Sequence, residues 1–154
     1  MTRKQFDIQL DRFKMAMNVL RDNGCYLQAI ARAYYLVHSV AAFVSDQYQV
    51  EAIHRRHGES FYEGRFSHNE TVDLVKALYD GQNSGNIKAG NAPGIIQGSM
   101  SPADAARRTN ALQKARKLAD YGPTDVTEPF SKTEADEYLA WANEMAEDLG
   151  KLVK

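Results

Sequence analysis

The chain has 154 residues, 44% of them hydrophobic and 25% charged, with a formal net charge of -1. This is enough for one domain, residues 1–154, with a core of its own, and it carries no overall positive field to gather nucleic acid, so an RNA contact needs a local patch. Its single cysteine, Cys25, excludes an internal disulfide framework and suits a reducing cytoplasm.

The first helix is expected from about Arg3 to Arg21. Phe6, Leu10, Phe13, Met17 and Leu20 step by four, three, four and three, one stripe of an amphipathic helix. Asp22-Asn23-Gly24 stops it, with Gly24 as a left-handed cap. The short turn sets the second helix antiparallel beside the first.

The second helix, Tyr26 to Tyr48, reads YLQAIARAYYLVHSVAAFVSDQY. Leu27, Ile30, Tyr34, Val37, Ala41 and Val44 form one face, and Ala31, Tyr35, His38 and Ala42 another. A helix apolar over most of its girth is central to the fold or is covered by a second subunit. Its pattern continues as far as His54. Arg32 and His38 are the polar anomaly inside it. They are either a snorkelling Arg with a satisfied core His or the centre of a site.

His54-Arg55-Arg56-His57 is a compact basic cluster. It is either the solvated end of a helix, where cations complement the dipole, or a phosphate contact made by Arg55, Arg56 and His57. Ser67-His68-Asn69-Glu70 has the form of a capping box. It opens a third helix to about Asp80, with His68 exposed in its first turn. Glycines at 81, 85, 90, 94 and 98 then dilute a stretch without periodicity. No Gly-Lys-Ser/Thr ending supports a P-loop, and the expectation is a mobile loop over about 81–100.

Ser101-Pro102-Ala103-Asp104 starts a fourth helix that runs to about Ala119. It bears Arg107, Arg108, Lys114, Arg116 and Lys117, a solvated face or a backbone footprint for RNA through Arg107 and Arg108. Ser131 with Glu134 caps a fifth helix to about Lys151. Trp141 sits off its apolar stripe, toward a partner or the long loop. The expected fold is all-α, an up-and-down bundle of about five helices, with no alternation that would mark a strand. No apolar leader is visible, and no run approaches the ~20 apolar residues of a membrane span. His, Asp and Glu show no metal-ligand spacing, so neither metal nor another cofactor is expected.

Ala31-Arg32-Ala33-Tyr34-Tyr35 followed by His38 resembles the Arg–His helix of the HEPN superfamily. Arg116-Lys117-Leu118-Ala119-Asp120-Tyr121 with the Ser131-capped helix resembles the Arg-x-x-x-Asp-Tyr stretch and last helix of many bacterial HEPN domains. The resemblance spans about Lys4 to Leu152 and implies a helical bundle. It also implies a homodimer through the second helix and, where the motif is intact, a metal-independent RNA endonuclease. Such domains serve in toxin–antitoxin, phage-defence or CRISPR settings, some with a cognate antitoxin or effector. Others are non-catalytic dimerisation or nucleotide- and RNA-binding modules, the alternative that remains open here.

Arg32 and His38 match the motif as catalytic residues, with Tyr34 and Tyr35 in support. His can move a proton near neutral pH, and Arg carries a permanent charge and a fork that fits phosphate. Six helical steps turn ~600°, which leaves the two side chains about 120° apart. The tyrosine that follows the His by two places in the toxins paired with nucleotidyltransferases is replaced here by Val40, so modification at that position is not expected.

Overall fold

The computed structural model describes residues 2–56, 59–63, 66–123 and 127–154, and for 54–56 and 59–63 the backbone path alone. Five helices dominate it: α1 (Arg3–Asp22), α2 (Tyr26–Gln47), α3 (Thr71–Asp80), α4 (Pro102–Tyr121) and α5 (Lys132–Gly150). The fold is an all-α bundle. Local chemistry explains the helix ends. Ser67 with Glu70 and Ser131 with Glu134 form reciprocal capping boxes, and Ser101 Oγ accepts from Asp104 N with Pro102 in the first turn. Gly24 takes φ +75° after α1. A further capping box, Thr2 with Gln5, opens α1.

α2 is the central element and packs against α1, α3, α4 and α5. Ala29, Ile30, Ala33, Tyr34, Leu36, Val37, Ala41 and Val44 are each fully buried within the chain. The apolar girth that suggested a subunit interface is therefore taken up by the chain's own helices. α2 is 22 residues long and an 18-residue window of it has a mean hydropathy of 1.2, so by length and composition it could cross a membrane, contrary to the expectation from sequence. Its burial among four helices accounts for that composition without a bilayer.

Two expectations need correction. The first is the absence of strands. α2 ends at Gln47, and Gln49 turns the chain with φ +56°. Strand β1 (Glu51–Arg56) then pairs antiparallel with β2 (Glu59–Glu63) on one side and with β3 (Ile87–Lys88) on the other. Val50 and Ala52 are buried and Glu51 is not, a two-residue alternation too brief to register in the sequence.

The second is the mobile loop over 81–100, which is tied into the fold at both flanks. Ile95 N donates to Tyr79 O (2.8 Å), Asn91 N to Tyr48 O (2.8 Å), and Ala89 N to Asn83 Oδ1 (3.0 Å). Ile87, Ala89 and Ala92 are buried. The glycines at 81, 85, 90 and 94 take positive φ here. Gly90, at φ +54°, lies so close to the carbonyl oxygens of Tyr48 and Gln49 that a Cβ would collide with them.

The far end of this segment is anchored by Asp148 on α5. The residue is 1% exposed. Its carboxylate accepts from Tyr79 Oη (2.7 Å), Ser99 Oγ (2.7 Å) and Ser99 N (3.0 Å). Burial pushes its pKa up, but the bonds from Tyr79 and Ser99 and the charge of Lys151 outweigh that and hold it below its ordinary value. Asp148→Asn places an amide among these donors and should cost about 3 kcal/mol, or a fall in Tm of about 10 °C, read by thermal denaturation at pH 7. A lowered carboxylate pKa stabilises the fold above the unfolded value of 3.8, and that contribution disappears as pH falls through the lower folded value. The gap between wild type and variant should therefore close in strong acid.

Candidate functional site

The most chemically pointed cluster lies where α2, α3 and α4 meet. The four-residue helical step puts Tyr34 and His38 on one face of α2. The 3-10 turn over His68–Glu70 brings His68 opposite them, and Thr71 opens α3 beside it. From α4, Gln113, Arg116 and Asp120 project to the same place by steps of three and four.

Hydrogen bonds hold these groups in register. His38 Nδ1 and Thr71 Oγ1 lie 2.8 Å apart, Thr71 Oγ1 and Tyr34 Oη 2.9 Å, and Tyr34 Oη and His68 Nδ1 2.9 Å. The rings of His38 and His68 are 4.7 Å apart between centroids. Gln113 Nε2 donates to the carbonyl oxygen of His68 and fixes the turn. Behind the rings, Arg116 Nε pairs with Asp120 Oδ2 at 3.0 Å and donates to Tyr35 Oη at 3.3 Å, while Tyr35 Oη donates to Asp120 Oδ2 at 2.7 Å. The guanidinium lies 5.8 Å from the ring centroids of Tyr34 and Tyr35 and 5.5 Å from that of Tyr121, within cation–π range.

This setting disfavours charge on either imidazole. Burial, then His68 and Arg116, lower the His38 pKa to about 4. Burial and Arg116 also lower that of His68, with Asp120 opposing. Burial raises the pKa of Tyr34, which stays a neutral phenol. The hydrogen bond to Tyr35 raises that of Arg116, so the arginine is a fixed cation. The site thus holds two neutral imidazoles beside a permanent positive charge. Such a set can shuttle protons and stabilise an anion.

The residues singled out from sequence fall in different places. His38, Tyr34 and Tyr35 belong to the cluster. Arg32 does not, since within one chain it is exposed on the α1 side of α2, in a groove with Gln9, Arg12 and Phe13. The helical turn between Arg32 and His38 separates them. Arg107 and Arg108 face α5, their guanidinium carbons 5.8 and 5.3 Å from the Trp141 ring. They pair with Asp104 (3.7 Å) and Glu144 (3.2 Å). Trp141 is thus covered by α4 of its own chain. His57 lies outside the described residues, and so do the side chains of Arg55 and Arg56.

Three members of the cluster escaped the sequence reading. His68 looked like an exposed cap residue and Thr71 and Gln113 carried no signal, while Arg116 stood out in the Arg116-to-Tyr121 run but without a role at this site. The signal for Arg116 was its place in Arg116-x-x-x-Asp120-Tyr121, whose four-residue step makes the observed ion pair. Among the described residues, no three of His, Cys, Asp and Glu converge as metal ligands. Comparison of the chain with family models, curated proteins and solved structures gives no match.

Proposed function

We propose that this chain is a metal-independent RNA endonuclease of the HEPN type, with His38 and His68 as its proton-transfer groups and Arg116 as its fixed cation. The observation that carries the reading is the pair of imidazoles 4.7 Å apart between ring centroids, with Arg116 beside them. RNA brings its own nucleophile, the 2′-hydroxyl. Cleavage then needs a group to take that proton, a group to protonate the leaving 5′-oxygen, and positive charge near the phosphorane. One chain supplies all three. Arg116 is too enclosed to grip the phosphate and acts through space, a charge that in a low-dielectric setting reaches several ångströms. Arg32 of the same chain has no part in this site.

The near-neutral net charge and the exposed apolar residues of α1, Met15 (67%) and Val19 (54%), beside Arg12 and Arg32 favour the second reading, a non-catalytic binding module. A homodimer through α2 would meet at this groove, where α2 is exposed at Arg32 beside α1. A cognate antitoxin or effector would meet the same face, and the setting would be a cytoplasmic toxin–antitoxin, phage-defence or CRISPR-associated one.

The test is incubation of the purified protein in excess EDTA with a labelled RNA and with the same strand carrying one 2′-deoxy position. The expected result is cleavage leaving a 2′,3′-cyclic phosphate, blocked only at the deoxy position. Cleavage that needs added metal, or that proceeds at the deoxy position, would retire the proposal.

A further inference from the structure

Three hydrogen bonds run in series from His38 Nδ1 through Thr71 Oγ1 and Tyr34 Oη to His68 Nδ1, at 2.8, 2.9 and 2.9 Å. Each needs one proton between its heavy atoms. The two hydroxyls bring one apiece. The third has to come from a ring nitrogen. While both rings are neutral and Tyr34 keeps its proton in the series, one of them, and not both, carries its proton on Nδ1; the other acceptor in reach of Tyr34 Oη, the His68 carbonyl oxygen, is farther off at 3.4 Å. If that ring is His38, its Nε2 is a free lone pair and His68 carries its proton on Nε2. If it is His68, every bond in the series reverses. Two Nε2–H rings would leave one link among fully buried groups without a proton, and two Nδ1–H rings would force Tyr34 onto its longer bond to the His68 carbonyl oxygen at 3.4 Å.

The outer ends of the series are open. Among the described residues the one buried side-chain nitrogen or oxygen without a hydrogen bond is Arg108 Nε, so the two Nε2 atoms, which make none, reach solvent. Among the described residues, the charged groups facing the pair are Arg116 and Asp120 on α4. Glu70, on the same turn as His68, bonds Ser67 N at 2.8 Å.

We propose that His38 and His68 are a coupled acid–base pair, kept in opposite tautomers by Thr71 and Tyr34, that passes a proton between two oxygens of a bound ribose phosphodiester with neither ring becoming charged. The substrate class rests on the ribonuclease reading. The Nε2 of one ring takes the 2′-hydroxyl proton. The 2′-oxygen bonds to phosphorus, the bond from phosphorus to the 5′-oxygen breaks, and the Nε2–H of the other ring protonates that oxygen. In step, the first ring's Nδ1 proton moves to the hydroxyl beside it, that hydroxyl's proton to the next, and the next one's to the second ring's Nδ1. The products are a 2′,3′-cyclic phosphate and a 5′-hydroxyl, and the relay ends reversed. Proton exchange with water at the two Nε2 atoms runs it back. A site that disfavours imidazolium at both positions thereby avoids forming one. Thr71 and Tyr34 act through the histidines and are positioning residues.

The test is ring-nitrogen NMR on protein labelled with 15N-histidine at pH 7.5, with signals assigned through His38→Gln and His68→Gln. The expected result is complementary, the Nδ1–H fractions of the two rings adding to one. Thr71→Val should break this link, leaving His38 in the Nε2–H form, and Thr71→Ser should restore it. In the cleavage assay Thr71→Val should be slower by about 10²-fold with unchanged RNA affinity, and Thr71→Ser close to wild type. Both rings in the Nε2–H form, an imidazolium at pH 7.5, or wild-type cleavage by Thr71→Val would each overturn the proposal. Complementary tautomers in a wild type that cuts no RNA would retire the ribonuclease reading and leave the coupled pair standing.

Discussion

Replacing His38 by Gln should lower RNA cleavage by about 10²–10⁴-fold, the usual worth of a positioned proton-transfer group. The variant should still fold. Gln is close in volume, and its amide can keep a hydrogen bond to Thr71 Oγ1, the group His38 meets at 2.8 Å. His68→Gln should lose a similar factor, because the two rings work as one unit, and the double variant should be scarcely worse than either single one. The pH dependence is a second signature. Two separate groups, one protonated and one not, give a bell-shaped profile. Here both pKa values lie below the ordinary 6.5, that of His38 at about 4. Both rings are neutral above that ordinary value, so the rate should stay level from pH 7 to 9 and fall as acid protonates the rings.

Arg116→Gln should cost about 10²-fold in kcat by removing a fixed charge from beside the reacting groups. It should also raise the pKa of His38 and His68, since Arg116 lowers both. His38 should nonetheless stay below 6.5, because burial is the larger cause of its shift. NMR titration of the two rings reads this directly. Arg116→Lys should not rescue the enzyme, because a single ammonium cannot bond Tyr35 and Asp120 while lying against three aromatic rings. Arg32→Ala should leave kcat unchanged, its side chain being on another face of α2, in the groove with α1. Unshifted histidine pKa values in Arg116→Gln would show that the cation and the imidazoles are not coupled.

The helices were legible because their signals are local. The stripe from Phe6 to Leu20, the Ser67, Ser101 and Ser131 caps and the stop at Gly24 each need only a few neighbouring residues. The sheet was not: β1 pairs over five positions with the neighbouring β2 and over two with β3, more than 30 residues later in the chain, and its buried alternation is too brief to register. The glycines of 81–94 gave an ambiguous signal. Composition cannot tell glycine that leaves a chain loose from glycine that lets it pass under Tyr48 and Gln49, and the structure shows the second at Gly90. The site was half legible. His38 and the Arg116–Asp120–Tyr121 run both stood out in sequence, but nothing in periodicity joins residues on α2 and α4, 78 positions apart. Arg32 drew the functional reading because, with His38, it matches the Arg–His motif that the sequence resembles. Six helical steps placed it on another face, and the arginine that the fold brings to the histidines is Arg116.

The most direct measurement is single-turnover cleavage of an end-labelled RNA in excess EDTA by wild type, His38→Gln, His68→Gln and Arg32→Ala side by side. Wild type and Arg32→Ala should give cyclic-phosphate products at equal rates, and either histidine variant almost none. Equal cutting by wild type and His38→Gln, or loss of cutting in Arg32→Ala with His68→Gln unaffected, would contradict it.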